Sequence, residues 1–362
     1  MSYLDYGDSP EQAELRSGLR SFLARADGGA DTWKRLAGEL GVCGLGVPSA
    51  FGGAGAGLGE VAVAVAEAGR VLLPLPVLST ALAGVVLGSA GVADARTGEV
   101  LAGIADGSVR AAFVFGDEVG AADGRVSGVV EHVLDGAAAD VFLVRAGTGL
   151  YLVRAGNAGV TVTVCETLDQ TRSQAVVSFR DAVGVATGAD AGRAEELLRV
   201  MLAVESAAAA EYCLDVTVEY LKTRRQFGRA LGTFQALRHR CADLAVEVAS
   251  AVATARAALA RPEELAVLGP LAKKYCADVF WHVAAEMIQL HGGIGFTWEH
   301  ESHRYLKRAK TTQLLHGSPA ELRHLVAQRA GLYEELCPVT TTGVTEFSWR
   351  ATLSGNACSC PA

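Results

Sequence analysis

The sequence predicts an α+β chain in which a block of short strands stands between two helical blocks. Three observations carry this. Apolar residues recur at helical spacing before about residue 105 and again after Ala189; six short runs rich in β-branched residues fill 111–179; and two glycine-bearing polar stretches, 224–235 and 289–297, sit beside the long helical patterns of the last block. At 362 residues, half of them hydrophobic, the chain exceeds one typical core. The expected division is an N-terminal helical domain at 1–108, a middle β domain at 109–186, a C-terminal helix bundle at 187–336 and a disordered tail at 337–362.

In the first block Leu15, Leu19, Phe22 and Leu23 follow helical spacing, as do Trp33, Leu36 and Leu40 before Gly41. The glycine-rich run GGAGAGLGE at 52–60 lacks the Gly-x-Gly-x-x-Gly spacing and has no strand before it, so it reads as a loop entering a helix. Apolar, alanine-rich sequence continues to Ala90, interrupted by Pro74 and Pro76. The second block contains AAFVF, VSGVVEHVL, VFLVR, LYLVR, VTVTV and AVVSF, short and regularly spaced, as in a small barrel or sandwich. In the third, residues 197–221 are apolar nearly all round, which implies a helix buried on most sides. Leu237, Cys241, Leu244 and Val248, then Cys276, Val279, Phe280, Val283 and Met287, recur at intervals of three and four, giving an antiparallel bundle.

The net charge of -8 argues against nucleic acid or an anionic membrane as the main partner. No apolar run reaches the roughly 18 residues a membrane span needs. The start, MSYLDYGDSPEQ, is acidic and polar where a signal peptide would be basic and then apolar, so a cytoplasmic protein is expected. Cys43, Cys165, Cys213, Cys241, Cys276 and Cys337 are scattered singly, as reduced core thiols are.

The stretch RRQFGRALGTFQ at 224–235 and QLHGGIGFT at 289–297 combine arginine, side-chain amides, aromatic rings and glycines. Guanidinium forks match phosphate oxygens, glycines permit close backbone approach, Gln and Thr bond a polar ring edge, and Phe packs on an apolar face. The mixture suits a large, flat, phosphate-bearing ligand. The pattern Arg224, Gln226, Phe227, Gly228, Phe234, Gln235, then Gln289, His291, Gly292, Gly293, Gly295, Thr297, Glu299 resembles the acyl-CoA dehydrogenase family in order and spacing over more than a hundred residues. Val47-Pro48, the turn Phe51-Gly52-Gly53, Asp140, Asp169, Thr171 and Arg172 extend the resemblance.

The resemblance implies FAD as cofactor and no metal, with Arg224, Gln226, Phe227, Phe234, Gln235, Gln289, Gly292 and Gly293 as its binding residues, reaching a flavin held mainly by a neighbouring subunit. It implies a middle domain over the flavin ring, α,β-dehydrogenation of an acyl thioester, an oligomer and an electron-transfer partner. It also implies a carboxylate base, found in many members in a Glu-Gly-Thr-Ser segment and in others on the helix before the first motif. This chain reads His316-Gly317-Ser318-Pro319 at the former place and Leu198 at the latter. Glu205, two turns beyond Leu198, is the substitute candidate, set against a packing glutamate paired with an arginine; His316 is an alternative proton acceptor. The cluster Glu299, His300, Glu301, His303 lacks the His-Glu-x-x-His spacing and reads as a solvated helix start.

Short actinobacterial-type members, including some acting on steroid side chains, share the segment Gly-Phe-Thr-Trp-Glu-His at 295–300 and assemble as heteromers in which one subunit carries the base. The resemblance therefore implies either a homo-oligomer or a base-lacking subunit beside another acyl-CoA dehydrogenase-like chain. A different function follows from the tail. Residues 337–362 turn abruptly rich in Thr, Ser and Cys and loosely resemble the core of a lanthipeptide precursor, with Thr352, Ser354, Cys358 and Cys360 as reacting residues. The body would then be a non-catalytic scaffold carrying a peptide modified by other enzymes.

Overall fold

The computed structural model describes residues 3–5, 7–91 and 94–332. The tail at 337–362, with its candidate residues Thr352, Ser354, Cys358 and Cys360, lies outside the described residues, as does Cys337.

The first helix, α1 (Pro10–Leu23), begins with a capping box: Ser9 accepts from the Gln12 amide and the Gln12 side chain returns to the Ser9 amide, with proline in the first turn. A short α2 (Ala30–Trp33) follows, then α3 (Leu58–Arg70), α4 (Val77–Ser89) and α5 (Ala95–Asp106). The glycine-rich run does lead into a helix, with Gly57 as the N-cap of α3. Gly53 turns the chain so tightly that a Cβ there would stand 2.1 Å from the Val47 carbonyl oxygen. Leu19 and Leu23 of α1 pack with Leu36, Ala64, Leu73 and Val77 in a small core of their own.

The strands form two four-stranded sheets. One contains β1 (Ala111–Val114), β4 (Val141–Ala146), β5 (Gly149–Arg154) and β8 (Val185–Asp190) in that order; β1 and β4 are parallel and the other pairs antiparallel. The second runs β2 (Gly120–Ala122), β3 (Arg125–Leu134), β7 (Gln174–Val183), β6 (Val160–Val164), all antiparallel. Alternation decides what each face covers. Ala112, Val114, Phe142 and Val144 of the first sheet meet Val126, Val133, Val177 and Phe179 of the second, so the β region is a sandwich. Ala111, Phe113, Val141 and Leu143 point the other way, into the main core shared with the helices. β6 ends the second sheet among the described residues, and a register shift in β3 between Val130 and Val133 spans His132, whose φ is 56°.

Helix α6 (Ala191–Thr223) is 33 residues long and central, its residues from Leu197 to Ala210 all buried. Between it and α7 (Gln235–Ala260) lies a hairpin of β9 (Arg225–Gln226) and β10 (Arg229–Ala230). Then come α8 (Leu265–His291), α9 (Ser302–Leu314) and α10 (Pro319–Arg329), the last opened by a Ser318–Glu321 capping box. A helical region, a sandwich and a helix bundle thus follow in the order that the hydrophobic periods predict.

Candidate functional site

The two motif stretches meet at one end of the bundle. Phe227 and Gly228 take positive φ values of 52° and 78°, and Gln226 pairs with Arg229 across them, the geometry of a two-residue primed turn. Phe227 is consequently held out in solvent, 85% exposed, with its ring edge-on to Phe234 at 6.2 Å. The Arg229 guanidinium lies 3.9 Å from the centre of the Phe234 ring. Arg224, Gln226 and Gln235 are exposed and Phe234 is half-buried.

The second stretch closes α8. Gly292 adopts φ 62°, ψ -136°, a backbone conformation open essentially to glycine alone, and with Gly293 it is exposed. Gln289 stands exposed on the last turn. Gly295 is buried: a Cβ there would meet the Ile288 carbonyl oxygen at 2.7 Å, and Ser302 Oγ donates to the Gly295 carbonyl at 2.7 Å. Tyr220, four residues before Arg224, joins the two stretches. Its ring stacks on His291 at 4.3 Å and its hydroxyl donates to the His291 carbonyl at 3.3 Å. His291 Nδ1 is 2.7 Å from the Met287 carbonyl and so carries the proton; its pKa is lowered, first by burial.

The surface so formed fits a dinucleotide flavin. A Cβ on Gly228, Gly292 or Gly293 would meet nothing within 4 Å, so the space in front of these backbones is open to an incoming phosphate. Arginine and amide side chains stand around it, and Phe296 and Trp298, 88% and 78% exposed, continue the apolar surface. Because the Gly292 strain is purely torsional, Gly292→Ala is expected to cost about 1–3 kcal/mol without a clash, read as a lowered Tm together with weakened flavin retention.

A second concavity lies elsewhere, where the sandwich faces the connection between α9 and α10. It is a cleft of about 330 Å³ lined by Phe113, Phe115, Arg145, Glu195, Arg199 and His316 among others. A neighbouring one of about 300 Å³ shares His132, Leu314 and Leu315 with it. Charged side chains run along its wall as a ladder: Asp117 to Arg145 at 2.5 Å, Arg145 to Glu195 at 2.6 Å, Glu195 to Arg199 at 2.7 Å. The connection itself is pinned from behind. Arg199 Nε donates to the His316 carbonyl at 3.1 Å, and Lys273 Nζ donates to the carbonyls of Gln313 at 2.9 Å and Gly317 at 2.6 Å. His316 Nε2 is out of water and makes no hydrogen bond among the described residues, while its ring lies edge-on to Phe115 at 6.0 Å. Burial first, then the positive charges of Arg199, Lys273 and Arg172, push the His316 pKa down to about 3.

None of the eight motif residues lines this cleft. Glu205 lies apart as well, in a buried ion network: Arg172 donates to Oε2, and Arg308 Nη1 donates to Oε1 at 3.1 Å. This is the geometry of a packing glutamate, with two arginines in place of one. Leu198 is a core residue, 1% exposed. The cluster after Glu299 is used within the chain. His300 Nδ1 accepts from the Ser302 amide at 3.1 Å, Glu301 accepts from the Tyr212 hydroxyl at 2.9 Å, and His303 packs on Trp298. Sequence reasoning passed over Tyr220, Lys273 and the Arg145–Glu195–Arg199 ladder. A lysine three residues before Cys276, on the apolar face of its helix, was the available signal for the second.

The fold is of one class, a helical region, a β sandwich and a helix bundle in chain order. Residues 9–108 match the family model described as acyl-CoA dehydrogenase, N-terminal domain, and 193–331 match acyl-CoA dehydrogenase, C-terminal domain. Acyl-CoA dehydrogenase IpdE2 of Mycolicibacterium smegmatis is 37% identical over 297 residues, 82% of this chain and 87% of that one. Acyl-CoA dehydrogenase FadE34 of Mycobacterium tuberculosis is 35% identical over 86% of this chain and 44% of its own length. Among solved structures, the steroid ACAD Tcur3481-Tcur3483 superposes with a TM-score of 0.79 at 28% identity, covering 89% of this chain and 99% of that one. The ChsE4-ChsE5 complex from Mycobacterium tuberculosis shares the fold, with a TM-score of 0.81 at 22% identity over 91% of this chain and 99% of that one. The chain belongs to the acyl-CoA dehydrogenase family, and its cofactor is FAD. No described helix is long and apolar enough to cross a membrane.

Proposed function

We propose that the chain serves the FAD-dependent α,β-dehydrogenation of an acyl thioester as the base-lacking subunit of a hetero-oligomer. The observation that carries this reading is the separation of the two surfaces. Arg224, Gln226, Phe227, Phe234, Gln235, Gln289, Gly292 and Gly293 face outward, where they complete a flavin site with a second subunit, and the cleft inside this chain presents His316 where a carboxylate is needed.

When bound, FAD supplies the acceptor for hydride from the β carbon. The residues of this chain that would hold that cofactor are Arg224, which would pair with phosphate, the open glycine backbones, which would approach it, and Phe227 with Phe234, which would cover an apolar face. Proton abstraction is another matter. A base must stay charged or become charged as it takes the α proton. An imidazole already surrounded by Arg199, Lys273 and Arg172 is strongly disfavoured as a cation, so His316 is a poor acceptor. Glu205 is committed to two arginines. The base would therefore come from the partner chain, and an electron-transfer partner would be needed to take up the electrons. The pairing in Tcur3481-Tcur3483 supports the same arrangement here, and the steroid class named for it sets the first acyl thioesters to try.

The chain is to be purified alone and together with an acyl-CoA dehydrogenase-like chain encoded beside it, and the visible spectrum recorded. Oxidised-flavin absorbance and substrate bleaching are expected only from the pair, and Arg224→Ala is expected to weaken flavin retention by about tenfold or more. A homo-oligomer of this chain that holds FAD and turns over an acyl thioester unaided would sink the proposal.

A further inference from the structure

A third concavity, sharing no lining residue with either surface, lies between α1, α3, α6 and α7, opens to solvent and has a volume of about 320 Å³. Small-molecule pockets begin at about 300 Å³. Its existence is written into the sequence. Ala62 and Ala66 of α3, Ala207 of α6, and Val252 and Ala255 of α7 form the walls, so that at each crossing a small side chain stands where a leucine would close the gap.

The mouth is polar and asymmetrically charged. Asp8 accepts from Arg16 Nε at 2.7 Å and from Arg256 Nη2 at 2.7 Å, so one carboxylate serves two guanidinium groups. Arg16 reaches on to Glu67 at 3.1 Å, and Arg256 donates to the Leu4 carbonyl through the same Nη2. The Nη1 edge of Arg256 makes no hydrogen bond among the described residues, and the side chain is 31% exposed at the opening.

We propose that this cavity binds a small amphipathic molecule, an aliphatic body of roughly ten heavy atoms at about 30 Å³ each with a carboxylate head that pairs with Arg256. The apolar walls take the body and the free guanidinium edge takes the head. No residue of the cavity lines the cleft at His316 or belongs to the flavin motifs, so occupancy here is independent of the proposed dehydrogenase role.

Decanoate is the probe, titrated calorimetrically into the flavin-bound assembly containing the full chain. Binding is expected with no change in the visible flavin spectrum. Ala255→Leu, which fills the cavity from its wall, is expected to weaken it by about tenfold or more, and Arg256→Gln, which alters only the mouth and keeps the test valid if the wall variant misfolds, by about fivefold or more. No binding to the unmodified protein, unchanged affinity in Arg256→Gln, or binding that perturbs the flavin spectrum would overturn the assignment.

Discussion

Arg308→Met is expected to cost about 3–5 kcal/mol in chemical denaturation, the range for removing one partner of a buried ion pair. Arg308 is 2% exposed and uses three nitrogens: Nε donates to Asp169 at 2.7 Å, Nη1 to Glu205 at 3.1 Å, and Nη2 to the Thr171 carbonyl at 2.6 Å. Methionine fills the volume and makes none of these bonds. Asp169 keeps the Thr171 amide and hydroxyl, and Glu205 keeps Arg172, which leaves two carboxylates facing one guanidinium. The fifth member, Asp135, has its pKa raised, first by burial, and receives a hydrogen bond from Ser79 Oγ at 2.6 Å. The network joins the β region to α6 and α9, so the expected loss is cooperative, seen as a lower midpoint with an unchanged slope. A cost below about 1 kcal/mol would mean that the ions are already hydrated.

The second large effect is a pH dependence. Lys273 is 1% exposed, and its ammonium faces carbonyl oxygens; burial first, then the charge of Arg199, lowers its pKa to about 7 from 10.5. Between these two values the unfolded chain holds one more proton than the folded chain, so this residue makes stability rise with pH across the window, and its penalty is fully present below about pH 7. Asp278 and Glu321 oppose the shift and are smaller influences. Lys273→Met is therefore expected to lose two hydrogen bonds to the α9–α10 connection and to flatten the pH dependence, removing a gain on the order of 2–3 kcal/mol between pH 7 and 9. Parallel slopes for the two proteins in urea melts at these pH values would contradict a buried, titrating lysine.

The two effects mark what the sequence could and could not announce. Gly228 and the Gly292-Gly293 pair were legible as the ends of helical runs because glycine lets a chain turn, whereas the positive φ of Phe227 was not, since a bulky aromatic residue rarely adopts it. The order of helices, strands and helices was legible because a change of hydrophobic period is local. Arg308 was not, since its partners stand 139 and 103 residues away and periodicity reports which face is buried, never what meets it. Glu205 shows the intermediate case. Its burial followed from the helix that is apolar nearly all round, while the identity of its two arginines required the fold. The ladder from Asp117 through Arg145, Glu195 and Arg199 crosses from sandwich to bundle and was invisible for the same reason.

The last strand of the second sheet has a consequence for the handling of this protein. β6 reads Val-Thr-Val-Thr-Val, pairs among the described residues with β7 alone, and contains none of the lysines or prolines with which sheet margins are usually blunted. Its outer backbone groups are a ready template for another extended chain, and Val164 and Leu168 beside them are 68% and 61% exposed. Aggregation under heat or at high concentration is therefore expected to nucleate at this margin, and a shield for these five residues would lengthen shelf life without touching either the flavin surface or the cleft.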